Sequence, residues 1–433
     1  MRRREFVWAS SVLTVLLMSM CAWASARTND VRDPYYHVDT EELEAGQHGR
    51  LIKFRSIEAP AGLEGAESNR LMIYKSNRND ASETPIAVSA IVAIPHGPTP
   101  VDGWPIISWA HGTVGSADKC APSMDNQLIA DSDALRLHKV INHAPHLMLN
   151  EFLSAGWAVV MTDYEGLGTA GAHPYLNGES EARSILDAVQ AAHELKYDNH
   201  EGSIFSKRFA IVGHSQGGQA ALFAAHYQPV WAPALDLVGA AAIAPASKLE
   251  VLQSLPGASL INPDLRANFP FLALAIEGVR RGKADLDMSK FFTETGLKLY
   301  SETADVLCRT ELSESRWVEQ GEALFSKPIL VELAAQLRAM HPDLKISVPV
   351  RISQAEKDRR VDVGFTRDLK DQLKKTNPGG PAGQICYKEY SHVEQADDER
   401  LGDHFGILKD DREPIKAWLA KRFESASDLC PEE

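Results

Sequence analysis

VGHSQGG, residues 212–218, lies between the apolar run RFAI and the run QAALFAAHY, whose composition is compatible with a helix. Its residues Gly213 to Gly217 match the pattern GxSxG, in which the chain turns sharply from a strand into a helix and leaves the serine hydroxyl projecting. Side chains two positions before and after the serine would clash at such a turn, and glycine stands at both positions. The stretch therefore predicts a strand, a sharp turn at Ser215 and a helix.

Short apolar runs alternate with helical patterns on both sides of this turn. After an opening pair of strands, LMIYKS and IAVSAIVAIP, the predicted strands are PIISW (105–109), WAVVMTD (157–163), RFAIVG (208–213) and LVGAAAIAP (237–245). LMLNEFLSAG (147–156) and ESEARSILDAVQAAHEL (179–195) have apolar residues at helical spacing. This alternation predicts an α/β protein with a mostly parallel sheet covered by helices on both faces, whereas residues 27–70 are predicted to be irregular.

The alternation stops for about a hundred residues and then resumes. Residues 247–342 contain helical patterns such as FLALAIEGV and no convincing strand, whereas ISVPVRIS, TRDLKDQLKK, ICYKEY and EPIKAWLAKRF continue the strand and helix order. We therefore predict core segments at 27–246 and 343–433, with an inserted helical cap at 247–342. Ligands bind at the carboxyl ends of the strands in open sheets, so the cap is expected to cover the site.

A serine at such a turn needs a base, and the base needs a carboxylate that orients it. The chain order in this arrangement is serine, acid, histidine, which excludes His111 and His214 as the base. Asp358 follows the strand PVRIS directly and is the predicted acid. Glu356 and Asp362, in the same turn, remain alternatives.

Two histidines follow the last predicted strand, and the oxyanion donors are expected on two other loops. His404 is the predicted base, in a mobile loop flanked by glycines, and His392 is the alternative. The backbone N–H of Gln216, at the start of the helix, is one predicted oxyanion donor. AHGTVG after the third predicted strand supplies the other, at Thr113, with Gly112 as the alternative.

The motifs SWAHGTVG, TDYEGLG, HPYLNGESEARSILDAVQAA, GHSQGG and PVRISQAEKDRRV resemble the secretory lipase family of α/β hydrolases. The resemblance covers nearly all of the chain after residue 26. It implies an exported serine ester hydrolase that acts on acylglycerols and related esters, with a helical cap over an acyl-binding pocket and no metal or organic cofactor. By motif, Ser215 matches the nucleophile of the family, Asp358 its acid and His404 its base.

The amino terminus and the cysteines indicate export. Residues 1–26 combine a basic start, a short apolar stretch and an Ala-Ser-Ala cleavage site, which is typical of a signal peptide; a twin-arginine signal is the alternative to the Sec route. The four later cysteines predict two disulfides with three connectivities, of which we prefer Cys120 with Cys308 and Cys386 with Cys430. The net charge of -14 becomes about -16 without residues 1–26, which argues against nucleic acid as a partner.

Three functions remain open at this stage. The first is carboxylic ester hydrolysis through an acyl-serine intermediate, with a small-molecule or lipid ester as the partner and possible transient contact with a lipid interface. The second is peptide or amide hydrolysis, because some peptidases use the same serine turn and a cap. The third is a non-catalytic binding protein of the same fold. No metal-binding spacing and no phosphate-binding loop stand out.

Overall fold

A nine-stranded sheet runs through the centre of the computed structural model, which describes residues 33–197, 202–261, 263–282, 286–304, 306–326, 331–379, 384–424 and 430. The predicted signal peptide lies outside the described residues. The strands are β1 Leu51–Ser56, β2 Ser68–Asn77, β3 Pro85–Ile94, β4 Trp104–Ala110, β5 Ala158–Thr162, β6 Phe205–His214, β7 Asp236–Ile243, β8 Val350–Ala355 and β9 Ile385–Tyr390.

Five of the eight strand pairs in the sheet are parallel. The order is β1-β2-β3-β5-β4-β6-β7-β8-β9, and the three pairs from β1 to β5 are antiparallel. In the parallel pairs all carboxyl ends lie at one edge of the sheet. The register pairs Ala110 of β4 with Gly213 of β6, so the loops that follow these two strands begin side by side.

Helices connect the strands and also form the segment between β7 and β8. They are α1 Thr40–Glu44, α2 Asp133–His143, α3 His146–Ser154, α4 Gly178–Ala192, α5 Gln216–Trp231, α6 Leu255–Ala258, α7 Phe269–Gly282, α8 Glu294–Thr303, α9 Arg309–Ser313, α10 Arg316–Gln320, α11 Val331–Ala339, α12 Val363–Thr376, α13 Gly402–Asp410 and α14 Arg412–Phe423. Among the described residues no helix is both long and apolar enough to cross a bilayer.

Apolar side chains are buried on both faces of the sheet. Helices α4, α5 and α12 cover one face, and α2, α3, α13 and α14 cover the other. The central strands are therefore buried on both sides, as in the runs AVVMT of β5 and GAAAI of β7. This agrees with the predicted sheet that has helices on both faces.

One prediction about the amino-terminal region is wrong. Residues 27–70 were expected to be irregular, but β1 lies within them and pairs with β2. Its residues are half-buried or exposed because β1 is an edge strand with a neighbour on one side only. The hydrophobic pattern is weak at such a position, and the strand is correspondingly hard to detect.

The segment between β7 and β8 is helical and has a hydrophobic core of its own. Phe269, Phe291, Trp317 and Leu333 are among the buried residues of that core. Its described residues pair in the β manner only through two isolated bridges, Phe292 with Phe325 and Cys308 with Gly115. The helical character agrees with the sequence, while its delimitation at 247–342 as a cap domain stays a prediction.

The two disulfides pair the cysteines as preferred from the sequence. Cys120 is bonded to Cys308 and joins the region after β4 to the helical segment. Cys386 of β9 is bonded to Cys430 near the end of the chain. Each bridge closes a long loop, of 188 and 44 residues respectively, and restricts the unfolded chain accordingly.

Candidate active site

Ser215 occupies a strained turn between β6 and α5. Its φ of 60° and ψ of -118° are rarely adopted by a residue other than glycine. A Cβ on Gly213 would lie 2.0 Å from the Gly217 carbonyl oxygen, and a Cβ on Gly217 would lie 1.9 Å from the Ala110 carbonyl oxygen. Glycine is therefore required at both positions, which is the steric reason given for the motif. Two backbone hydrogen bonds hold the turn: Ser215 N–H to Ile243 O (2.8 Å) and Ala246 N–H to Ser215 O (3.0 Å).

Asp358 and His404, which are 46 positions apart, form a buried hydrogen-bonded pair. His404 Nδ1 donates to Asp358 Oδ2 at 2.6 Å. Asp358 Oδ1 accepts from the backbone N–H groups of Arg360 (2.8 Å) and Val361 (3.0 Å). Burial alone would raise the pKa of Asp358, but the charge and hydrogen bond of His404 and the two backbone donors lower the pKa below its ordinary value. The carboxylate therefore stays ionised and orients the imidazole with Nε2 free to accept a proton.

The alternatives from the sequence do not form this pair. Glu356 and His392 are exposed. Asp362 is the N-cap of α12, where its side chain accepts from Gly364 N–H at 2.8 Å. The turn after β8 thus directs one of its three acidic residues to His404.

The environment of His404 differs from the prediction of a mobile loop. His404 lies in the first turn of α13 and is 3% exposed. Its carbonyl oxygen accepts from Nε2 of His214, at 2.7 Å, and the two rings lie 4.6 Å apart. Burial, followed by the charge of His404, lowers the pKa of His214 well below its ordinary value, so this ring stays neutral. His214 therefore positions His404, a role that the chain-order argument did not reveal.

Ser215, His404 and Thr113 line one cavity at the carboxyl edge of the sheet. The cavity has a volume of about 810 Å³, including the space that opens to solvent. The helical segment contributes Leu249 and Phe271 to its lining. The structure thus brings the predicted nucleophile, the predicted base and the predicted oxyanion loop to a common space.

The two predicted oxyanion donors lie on neighbouring elements. Thr113 follows β4 by three residues, and a Cβ on the preceding Gly112 would lie 3.4 Å from the Ser215 Cβ. The Thr113 hydroxyl lies 2.8 Å from the Tyr175 hydroxyl, which fixes its side chain. Gln216 is the first residue of α5, where backbone N–H groups have no partner within the helix. A small negative charge that develops near Ser215 would meet these N–H groups.

A buried polar network holds the Gln216 side chain below the turn. Gln216 Nε2 donates to Glu181 Oε1 (2.7 Å) and to His173 Nε2 (2.9 Å), and Glu181 Oε1 also accepts from Leu176 N–H (3.2 Å). Burial raises the pKa of Glu181 to about 8 and lowers the pKa of His173 to about 3, so both side chains are uncharged at neutral pH. Both residues lie within the motif HPYLNGESEARSILDAVQAA, but the sequence analysis assigned neither of them a role.

The absence of a metal stays a prediction, which follows from the predicted roles of serine, base and carboxylate, because acyl transfer by such residues needs no bound ion. In the part of the chain that the structure describes, no group of three or more His, Cys, Asp or Glu has an arrangement that could hold a metal ion.

Comparisons with known proteins agree with the motifs. Residues 134–262 match the model of the family described as Secretory lipase. The chain is 28% identical over 216 residues to Lipase 7 of Candida albicans, covering 49% of this chain and 46% of that protein. It is 22% identical over 419 residues to the Secreted triacylglycerol lipase LIP3 of Malassezia restricta, covering 89% and 81%. The chain spans about half the length of the first curated relatives it matches.

A solved structure supports the fold. The crystal structure of lipase A from Candida antarctica in its closed state superimposes with a TM-score of 0.65 at 20% identity, over 94% of this chain and 89% of that one. This similarity confirms the predicted α/β-hydrolase fold. The family match over residues 134–262 and the curated relatives show that the chain is similar to secretory lipases.

Proposed function

We propose that the chain is an exported serine hydrolase of carboxylic esters, with lipid or other small-molecule esters as substrates. The observation that carries the proposal is the arrangement around one cavity, in which a strained Ser215 and the His404 of a buried Asp358–His404 pair both reach the same space. The similarity of residues 134–262 to the Secretory lipase family supports ester hydrolysis within that chemistry, and the two disulfides support an oxidising compartment.

In the proposed reaction the Ser215 hydroxyl attacks the ester carbonyl. His404 Nε2 takes the hydroxyl proton and gives it to the leaving alcohol, and Asp358 stabilises the imidazolium that forms in between. The negative charge on the carbonyl oxygen is held by the backbone N–H groups of Gln216 and Thr113. Water then enters, His404 removes its proton, and the acyl-serine bond is hydrolysed to the free acid and Ser215.

The experiment replaces the nucleophile. Ser215→Ala is expected to lower kcat for p-nitrophenyl hexanoate by a factor on the order of 10⁴ to 10⁶ while the circular dichroism spectrum and the melting temperature stay close to those of the unchanged protein. Ser154→Ala, which removes a hydroxyl from the exposed end of α3, is the control and is expected to keep normal turnover. Near-normal turnover of Ser215→Ala would contradict the assignment.

An assay of the unchanged protein distinguishes ester hydrolysis from the peptidase alternative. Esters and amides with matched acyl groups are compared by kcat/KM, and we expect the esters to be cleaved far faster. A panel in which amides match or exceed the esters would favour a peptidase. Failure of a serine-reactive phosphonate to label Ser215 would favour the non-catalytic alternative.

A further inference from the structure

The cavity that contains Ser215 is lined by basic side chains in an acidic protein. The chain has a formal net charge of -14, yet no Asp or Glu is among the described residues that line this cavity. Lys248, Arg309 and Arg360 all contribute to the lining. The local charge is therefore opposite in sign to that of the molecule, which is a feature of sites that attract anions.

Arg309 is buried in the cavity wall without a carboxylate partner. It is 5% exposed, and its Nε has no hydrogen-bond partner. The ring centre of Phe271 lies 6.0 Å from the guanidinium carbon. Burial, and then the like charge of Arg360, lowers the pKa of Arg309 well below its ordinary value; the Tyr175 hydroxyl opposes this shift. A guanidinium remains charged in proteins, so an unpaired one that is buried destabilises the fold.

The nearby acidic residue on the same helix is engaged elsewhere. Glu311 accepts from the Cys308 N–H at 2.8 Å and forms an ion pair with Lys119 at 2.9 Å. Of the other two cations that line the cavity, Lys248 is paired with Asp368. The Arg360 side chain donates to the Arg400 carbonyl, and its guanidinium carbon lies 5.3 Å from the centre of the Phe405 ring. The carboxylate of Asp358 also attracts the Arg360 charge. Arg309 is therefore the guanidinium that the described residues leave without a carboxylate.

Arg309 is held firmly beside the predicted oxyanion loop. It is the first residue of α9, and its backbone N–H donates to the Val114 carbonyl at 2.8 Å. The preceding Cys308 forms a β-bridge with Gly115 and a disulfide with Cys120. The β-bridge, which includes this hydrogen bond, and the disulfide thus hold the backbone of Arg309 close to the loop of Thr113, and a backbone held in place loses little entropy when a ligand binds.

From this geometry we propose that Arg309, together with Arg360, binds an anionic group of the ester substrate, a carboxylate or a phosphate. Arginine presents parallel N–H donors that match the oxygens of both groups, and the bound anion would neutralise the buried charge. The inference rests on the proposed ester hydrolysis and narrows it: esters with a negative charge in the acyl or the alcohol part are preferred to neutral esters of the same size.

Matched pairs of esters test the preference. On the acyl side, the p-nitrophenyl half-ester of adipic acid is compared with p-nitrophenyl hexanoate, which has the same number of acyl carbons and no charge. On the alcohol side, 4-carboxyphenyl hexanoate is compared with 4-carbamoylphenyl hexanoate. We expect kcat/KM to be at least about 10-fold higher for the anionic member of one pair, the size of one hydrogen bond to a charged group.

Substitutions of Arg309 test whether this residue causes the preference for anionic esters. Arg309→Met keeps the apolar volume of the side chain and is expected to lower the ratio of the anionic to the neutral kcat/KM about 10- to 100-fold, whereas Arg309→Lys keeps the charge and retains part of the ratio. Arg316→Met is the matched control, because Arg316 belongs to the same helical segment but is exposed and paired with Glu302. The control is expected to leave the ratio unchanged.

The outcomes separate this inference from the proposed function. If folded protein hydrolyses none of the four esters, ester hydrolysis itself is wrong. If the neutral esters are hydrolysed but neither anionic ester is preferred, or if Arg309→Met leaves the ratio unchanged, the anion site is wrong. Adipate and hexyl phosphate are added as competitive inhibitors, and the one that inhibits more strongly shows whether the site prefers a carboxylate or a phosphate. If neither compound inhibits, the anion site is also wrong.

Discussion

The carboxyl edge of the sheet and the helical segment between β7 and β8 contribute different kinds of side chain to one cavity. The edge supplies Ser215 and His404, which are fixed by a strained turn and by buried hydrogen bonds. The helical segment supplies Leu249, Phe271 and Arg309; Leu249 packs in the core of the segment, and a disulfide at Cys308 joins the residue before Arg309 to the sheet region. We infer that the reaction chemistry depends on the edge and that substrate selection depends on the helical segment.

The largest expected effect lies at the edge. His404→Ala is expected to lower kcat to nearly the level of Ser215→Ala, because nucleophile, base and acid act as a unit. The expected factor is on the order of 10⁴ or more, measured by p-nitrophenyl ester hydrolysis at saturating substrate. The loss should be the same for neutral and anionic esters, since His404 acts on the bond that is common to both.

His392→Ala is the matched control for this prediction. His392 is exposed and follows β9, so its loss should leave most of the activity. If His392→Ala were inactive and His404→Ala active, the base would be His392 and the buried pair with Asp358 would have only a structural role.

The edge was predictable from the sequence because its constraints leave glycines at fixed spacing around the serine. Gly213 is required by its contact with Gly217, four positions later, and Gly217 is required by its contact with Ala110 of the adjacent strand β4. The helix around His404 was not predictable, because the stretch GDHFG has low intrinsic helix propensity. Long-range contacts override it: a Cβ on Gly406 would lie 2.3 Å from the Glu394 carbonyl oxygen, so close packing requires this glycine inside α13.

From the sequence, the segment between β7 and β8 could be predicted only as a set of helices. Apolar periodicity indicates α7 and α11, but nothing near Arg309 in the sequence shows that its side chain is buried in the wall of the cavity. The preceding residue, Cys308, is bonded to Cys120, which lies 188 positions earlier in the chain. That information depends on how the segment packs on the sheet. Glu181 was missed for the same reason, since only the folded structure brings it to Gln216.

Removal of the disulfides is expected to give the next largest effect, and it tests the edge and the helical segment separately. Cys120→Ser/Cys308→Ser removes the link between the loop after β4 and the helical segment, and Cys386→Ser/Cys430→Ser removes a link beside the His404 helix. The chain-entropy model gives a loss in the free energy of unfolding of about 5 kcal/mol for the first pair and about 4 kcal/mol for the second, measured by urea unfolding. Stability therefore falls in both variants.

Activity should distinguish the two variants. The first is expected to lower the preference for anionic over neutral esters, because Cys308 precedes Arg309, while the second is expected to lower kcat for both kinds of ester alike. If the first variant kept the full preference, the packing of α9 alone would hold Arg309, and the disulfide would not contribute to selection.

The smallest effect concerns the buried carboxyl below the edge. Burial raises the pKa of Glu181 to about 8, from an ordinary value near 4.5. The stability that its neutral form contributes is therefore fully present below pH 4.5 and is lost as the pH rises through 8. Glu181→Gln keeps an uncharged side chain at every pH, so its free energy of unfolding should fall less than that of the unchanged protein between pH 5 and pH 9, measured by urea unfolding.

The same ionisation is expected to affect the reaction at high pH. A negative charge on Glu181 would lie one side chain from the Gln216 amide that is proposed to hold the oxyanion, and like charges repel. The alkaline decline of kcat should therefore begin at a higher pH in Glu181→Gln than in the unchanged protein. Glu179→Gln, which changes a more exposed carboxylate on the same helix, is the control and should retain the original pH profile. Parallel pH profiles for all three proteins would contradict this prediction. Either the carboxyl of Glu181 would then not ionise in the folded state within this pH range, or its charge would not affect the Gln216 amide.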